Sequence, residues 1–314
     1  MTDMESPTRS SFTSLLDRIR KTPAINVPAT VLARQFIPQG VLRHWFVKHL
    51  PRHGKVSIRL PHDTSRRQVI MLSGSDWITS RLWWDGGLGF EPEVGKYFAS
   101  LAKRARCILD IGAFSGWYTL WSSVISPSAK VFALEPHPEV ADLLQRNLAL
   151  NNVHNVTYFP YAAAETDGFA DFHIGAPGLP SSSSLESAWK GLDRTITVAT
   201  RSIDSLIASQ GYPNVDLVKI DIEGSERLAL KGMTQTLLRC YPAIIVEVLP
   251  AYRAQFLEVL ELLTEIGYAF FECTPESLLP IDTNGDGLLT ADSVNFLALH
   301  KTQPHISNFR LPST

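Results

Sequence analysis

An α/β fold, with helices wrapped around a mostly parallel sheet, is the class this sequence predicts, and three observations predict it. From Cys107 onward strand-like and helix-like patterns alternate, the arrangement that yields a parallel sheet covered by helices. The strands are short, largely apolar runs such as KVFALE, VDLVKID and AIIVEV, and Ile108 and Leu109 belong to a buried parallel strand. The chain is also long enough. Its 314 residues, 45% of them hydrophobic, can bury one large core plus an appendage, which excludes a disordered protein.

Residues 1–87 read as a basic N-terminal appendage, helical and then stranded, in which Val41, Leu42, Trp45, Phe46 and Leu50 share one helical face with Arg43, His44 and Lys48 off it. The core, residues 88–302, opens with the strand at Cys107 and a helix over residues 117–125. Residues 130–135 (KVFALE) form the second strand. Val140, Leu143, Leu144 and Leu148 then recur at helical spacing, ending near Asn151 and Asn152. Residues 156–161 are the third strand. GFADFHI and RTITVAT alternate like two antiparallel strands around APGLPSSSSLESAWKG, which predicts an inserted hairpin over the site. Ile203, Leu206 and Ile207 mark a short helix; residues 215–221 and 243–248 are the fourth and fifth strands, with one helix carrying Leu230 and Leu237 between them. Phe256, Leu260 and Leu263 give a further helix, residues 269–272 and 294–300 the last two of seven strands, and residues 303–314 a tail.

The most informative stretch is CILDIGAFSGWYTL. Asp110 falls at the carboxyl end of a strand, the edge at which open α/β sheets bind ligands, and Gly112 and Gly116 allow a tight turn against one. A nicotinamide fingerprint needs G-x-G-x-x-G, but Phe114 and Trp117 occupy the second and third glycine places, and Phe114 would obstruct the approach of backbone to a pyrophosphate. S-adenosylmethionine has no phosphate. It offers an ammonium, a ribose diol and a sulfonium, which call for carboxylates, and Asp110 suits the ammonium. Glu135, before Pro136, closes the second strand a little over twenty residues past Gly112, where an acid takes ribose hydroxyls. KIDIEGSE is the third mark: Asp221, Glu223 and Glu226 cannot all face a core, and Asp221 should meet Asp110 across the switch point of the sheet.

The net charge of −2 conceals an asymmetry, since residues 1–70 hold 12 Lys and Arg against 4 Asp and Glu. Contact with phosphate on a nucleotide-sugar, or peripheral contact with an anionic membrane surface, through residues 43–67 is one use of that surplus; a helix packed on the core with a charged rim is the other. No stacking motif accompanies the charge, so no nucleic-acid partner is expected. Cys107, Cys240 and Cys273 show neither metal-ligand spacing nor a disulfide framework, which suits a reducing cytoplasm. The N-terminus lacks an apolar stretch of the secretory kind, and no run is long enough to span a membrane. The oligomeric state is not legible.

In order along the chain, DIGAFSGWYTL, ALEPHPEVADLLQRNLALNN, TRSIDSLI and VDLVKIDIEGSERLALKGM resemble the FkbM-type family of S-adenosylmethionine-dependent methyltransferases, over roughly residues 88–300. The resemblance implies a Rossmann-like seven-stranded methyltransferase sheet with its last strand antiparallel, and methyl transfer to a hydroxyl of a sugar or natural-product-like acceptor. It implies Asp110, Gly112, Ala113, Phe114 and Gly116 around the methionine part of the cofactor, Glu135 and Pro136 at the ribose, and Ala162 and Ala163 beside the adenine. Phe90 and Glu91, in GFEPE, match the aromatic and acid before the first core helix. Phe114 and Ser115, and Arg201 and Ser202, depart from the usual pattern and leave the acceptor open.

A hydroxyl acceptor must lose a proton as the C–O bond forms, and a carboxylate or imidazole within hydrogen-bond reach can take it. Asp221 and Glu223 are the first candidates, with His137 behind them and Lys219 as a partner to the acids. Asp221, Glu223 and Glu247 are also hard oxygen ligands able to hold a divalent ion; spacing leaves that open, and no metal is assigned. Asp282, Asn284, Asp286 and Gly287 begin like a calcium loop, but Ser293 stands in the place of its bidentate Glu, so an Asx-rich turn is expected. Trp77, Trp83 and Trp84 read equally as an aromatic wall for a sugar or as core anchors. The alternatives to methyl transfer are a nicotinamide-dependent oxidoreductase and a non-catalytic cofactor-binding or interaction protein.

Overall fold

The computed structural model of the protein describes residues 18–302 apart from 20–21, 39, 74–75, 176–182, 186–193, 212–213 and 284–286. The N-terminal residues 1–17, most of the APGLPSSSSLESAWKG loop, Asn284, Asp286, the tail 303–314 and the side chains of Val41, Leu42 and Lys48 lie outside the described residues.

Two helices come first, α1 (Pro23–Phe36) and α2 (Val41–His49). On α2 it is Val47, with Leu50 just beyond, that is buried, whereas Trp45 and Phe46 are half-buried. Arg43, expected off the packed face, turns inward: its guanidinium donates to the backbone oxygens of Arg34, Ile37 and Trp84 and stands 3.8 Å from Asp85. A hairpin follows, β1 (Gly54–Arg59) paired antiparallel with β2 (Gln68–Ser73). Helix α3 (Trp77–Asp85) is started by Asp76, whose carboxylate accepts from the Thr79 amide at 2.7 Å. Side chains alternate across a strand, and the inward set Val56, Ile58, Val69 and Met71 joins Leu82 of α3 in the hydrophobic cluster that also holds Phe98, Trp121 and Leu297. The appendage therefore shares its core with the main sheet.

Helix α4 (Pro92–Ala102) leads into that sheet. The first half is β3 (Cys107–Ile111), α5 (Trp117–Ile125), β4 (Lys130–Leu134), α6 (Pro138–Leu150) and β5 (Val156–Phe159). A side sheet interrupts, made of β6 (Ala162–Ala163), β7 (Gly168–Ile174), β8 (Ser183–Ser184) and β9 (Arg194–Arg201); β7 and β9 pair antiparallel, as their alternation predicts. The second half is α7 (Ile203–Ser209), β10 (Leu217–Ile220), α8 (Glu226–Lys231), α9 (Thr234–Cys240), β11 (Ala243–Glu247), α10 (Arg253–Glu265), β12 (Tyr268–Cys273), β13 (Leu278–Pro280), α11 (Gly287–Thr290) and β14 (Asn295–His300).

The main sheet runs in the order β13-β12-β14-β11-β10-β3-β4-β5, parallel except that β14 is antiparallel to both its neighbours and β13 to β12. It is the expected Rossmann-like sheet with two differences. An eighth strand, β13, lies at the edge; three residues ending in proline are too few to show alternation, and proline is tolerated where no neighbour needs its N–H. The single helix expected around Leu230 and Leu237 is two, α8 and α9, parted at Gly232 and Met233. Strands β3 and β10 are adjacent, and the chain leaves them in opposite directions along the sheet, which opens a crevice at their carboxyl ends.

Candidate active site

Asp110 on β3 and Lys219 on β10 stand opposite each other in the parallel ladder, on strands whose residues are all buried. Asp110 is 2% exposed and accepts a hydrogen bond from the Thr119 hydroxyl on α5 at 2.5 Å. Burial pushes its pKa up to about 6 against the pull of that bond. The chain leaves β3 through Gly112 at φ +85°, where a Cβ would stand 1.9 Å from the Asp221 carbonyl oxygen. Only glycine lets the ends of β3 and β10 come this close.

Glu135 follows β4 and is held by two backbone donors, the Phe114 amide at 3.0 Å on one carboxylate oxygen and the His137 amide at 2.8 Å on the other. Each oxygen retains capacity for a further donor. Burial raises the Glu135 pKa to about 7, the two amides working against it. The amides of Gly112 and Ala113 both donate to the Leu134 carbonyl, at 3.1 and 2.9 Å. The three successive amides of this turn thus face β4 and Glu135, which explains why it is not a phosphate cradle.

Lys219, 1% exposed, lies 3.3 Å from Asp221 and 3.4 Å from Glu91, with its ammonium over the Tyr118 ring at 5.2 Å. Burial opposes its charge, but Asp221, Glu91, Glu247 and Asp110 outweigh burial and raise its pKa, so it is a permanent cation. One ammonium does not balance four carboxylates. Burial, together with Asp221 and Glu91, drives Glu247 far above the ordinary carboxylate range, and burial likewise raises Glu91. Past β10 the chain turns through Glu223 (φ +54°) and Gly224 (φ +104°). Of the three acids that could not all face a core, Glu226 is the one that turns in: it is 2% exposed and accepts from the amides of Ile222 and Gly224, both at 3.1 Å. It braces the turn that presents Asp221 and Glu223.

A cavity of about 260 Å³ opens over these strand ends. Asp110, Gly112, Ala113 and Phe114 line it from the β3 turn; Glu135, Pro136 and His137 from β4; Lys219, Asp221 and Glu223 from β10; and Ala162 and Ala163 from the side sheet. Glu91 and Gly116 are not among the lining residues. Glu91 accepts from the Tyr118 hydroxyl at 2.5 Å and from Lys219, and Gly116 is the N-cap of α5, packed on Leu144. His137 uses Nδ1 to accept from the Glu139 amide at 3.2 Å, and burial lowers its pKa. Oxygens of Asp221, Glu223 and Glu247 lie within 4.8 Å of one another, a spacing a divalent ion would accept.

The three tryptophans divide. Trp84 is fully buried, Trp83 faces the guanidinium of Arg34 at 4.4 Å, and Trp77 lines the cavity. Ile78 of the appendage and Phe172, Ser183 and Leu185 of the side sheet line it too. Apart from the hairpin's expected position over the site, no sequence signal singled these four out.

The Methyltransferase FkbM domain family matches residues 110–270, just over half of the chain. The chain belongs to the FkbM methyltransferase family. Among curated relatives, the 2-O-methyltransferase NoeI of Sinorhizobium fredii is 27% identical over 152 residues, covering 44% of this chain and 62% of NoeI. The hexuronic acid methyltransferase AglP of Haloferax volcanii is 29% identical over 169 residues, covering 53% of this chain and 66% of AglP. The chain spans less than two thirds of the length of either relative. A crystal structure of Methyltransferase FkbM from Methylobacillus flagellatus KT overlaps 72% of this chain and 55% of that one at 19% identity, with a TM-score of 0.40. In this member of the FkbM family the matched residues run from β3 into β12, so they contain all the strand-end acids, but one appendage wall of the cavity lies outside them.

Proposed function

We propose that this FkbM methyltransferase transfers a methyl group from S-adenosylmethionine to a hydroxyl of a sugar or glycan acceptor. The observation that carries the reading is the convergence of Asp110, Glu135 and Asp221, from three strand ends, on one cavity. The donor set suits this cofactor: carboxylates rather than backbone amides are presented, Asp110 for an ammonium, Glu135 with acceptor capacity for a diol, and the small Ala162 and Ala163 for a flat ring. When bound, the cofactor supplies a methyl group on a positively charged sulfur. The printed names of NoeI and AglP support an oxygen of a sugar as the acceptor class.

The protein's own part is to align the acceptor and take its proton. Asp221 and Glu223, presented by the turn after β10, are the acceptors of that proton. Burial, with Asp221 and Glu91 beside it, raises the Glu247 pKa, which makes Glu247 a weaker candidate for that proton. His137 is a poorer base, since a neutral ring whose Nδ1 accepts from an amide carries its proton on Nε2. Lys219, 3.3 Å away, holds Asp221 in place.

Calorimetric titration with S-adenosylhomocysteine, followed by transfer of labelled methyl to a panel of sugar hydroxyls with and without a chelator, tests this. Heat with the thioether and labelled product are expected. No heat from folded protein overturns the reading, heat with a nicotinamide dinucleotide instead favours an oxidoreductase, and activity lost to the chelator assigns a metal to Asp221, Glu223 and Glu247.

A further inference from the structure

Helix α1 is built inside out. It fully buries Asn26 and Thr30 and leaves Ile25, Leu32 and Phe36 48%, 56% and 79% exposed. At about 100° per residue these three fall within about 40° of one another, so they form one apolar stripe along the outer face. The orientation is set by the polar side. Asn26 donates to the Pro51 carbonyl and accepts from the His53 amide, both at 2.9 Å, and the Thr30 hydroxyl donates to the Asn26 carbonyl at 2.8 Å. Rolling the stripe inward would break buried hydrogen bonds, so the stripe is held outward.

The sequence that carries the stripe is charged with one sign. From residue 18 to residue 62 the sequence has nine Lys and Arg and no Asp or Glu. Arg18, Lys55 and Arg59 are exposed. The basic stretch singled out from sequence is less available at its ends, because Arg43 is bound to backbone oxygens and Asp85, and Arg67 to Asp63 and the Val124 carbonyl. The exposed apolar surface lies one helix earlier.

We propose that α1 seats on an anionic membrane surface, with Ile25, Leu32 and Phe36 entering the boundary between headgroups and acyl chains and the exposed cations Arg18, Lys55 and Arg59 holding the headgroups. Apolar surface beside unopposed positive charge is the chemistry of that boundary. A second copy would bring like charge against like charge, and a nucleic acid would have no use for the stripe. None of the described helices is long and apolar enough to cross a membrane, so the attachment is peripheral. The proposal stands apart from methyl transfer, because these residues do not line the cavity.

Co-sedimentation of the full chain with vesicles of phosphatidylcholine, alone or mixed with phosphatidylglycerol, tests it. Binding is expected to the anionic vesicles only, to weaken with salt, and to fall about tenfold in the Leu32→Ser, Phe36→Ser double variant. Those side chains are exposed, so an unchanged circular dichroism spectrum and melting temperature serve as the check that the variant is folded. Absence of binding to anionic vesicles, equal binding to neutral ones, or full binding by the double variant overturns the proposal. So does a lipid-free dimer that the double variant dissolves, which would assign the stripe to a second copy.

Discussion

The appendage and the mouth of the sheet arrange charge in opposite ways. The appendage leaves an apolar stripe and the cations Arg18, Lys55 and Arg59 exposed to water. The mouth places Asp110, Glu135 and Glu247 where water is scarce, and burial raises all three pKa values. Even the acids of the two regions differ. Asp63, in the turn of the β1–β2 hairpin, is lowered to about 2, first by its hydrogen bond to Arg67. The lesson is that the same residue type answers to different variables: salt governs the exposed region, pH the buried one.

The largest test of the contrast is Asp110→Asn. If the buried carboxylate is what meets the ammonium, affinity for S-adenosylhomocysteine drops about 100-fold by calorimetry, because a charged hydrogen bond is lost from a buried site. An unchanged affinity would make Asp110 a structural acid and move recognition elsewhere in the cavity.

A second test asks whether the appendage reaches the site. Asn147, fully buried on α6, accepts from the Leu72 amide of β2 and donates to the Ser115 carbonyl in the β3 turn, both at 2.8 Å. Asn151, one turn on, clamps the same strand through the Ile70 amide and carbonyl, both at 2.7 Å, but does not touch the turn. Asn147→Ala should weaken S-adenosylhomocysteine binding about tenfold, from leaving buried groups unpaired, while Asn151→Ala leaves it unchanged. Equal effects would show that the clamp on β2 matters only for stability.

The smallest effect is the pH response. Asp110 and Glu135 have folded pKa values of about 6 and about 7, above their unfolded values, so the free folded protein binds protons that the unfolded chain releases. Their contribution to stability is present below about pH 4 and is lost as pH rises through 6 to 7. A cationic ligand favours the ionised acids, so its affinity should rise several-fold over the same interval. Asp63 works the other way, losing its contribution only as pH falls toward about 2. Melting curves of free and bound protein across pH 5–8 check both signs, and parallel curves would refute the contrast.

Much of the site was legible because strand ends in a parallel sheet collect ligands, so Asp110, Glu135 and Asp221 could be read from position alone. The paired strands β7 and β9 were visible as alternation, and α5 as the run after Gly116. Which of the three acids after β10 is buried was not legible, because the partners of Glu226 are two amides of its own turn, which no side-chain pattern announces. Glu91, which likeness matches to the acid before the first core helix and so to the cofactor-binding residues, has Tyr118 and Lys219 as its partners, and no sequence pattern announced them.

By itself, the sequence determined the α/β class, the order of the core strands and the acids at their ends, because burial periodicity and turn chemistry are local. The tertiary structure alone decided which acids face a cavity and which brace a turn, that Trp77 lines the site while Trp84 anchors the core, and that α1 turns its apolar stripe to solvent. Those outcomes depend on contacts between residues far apart in the chain, such as Asn26 with Pro51 and Asn147 with Leu72, and no local pattern encodes them.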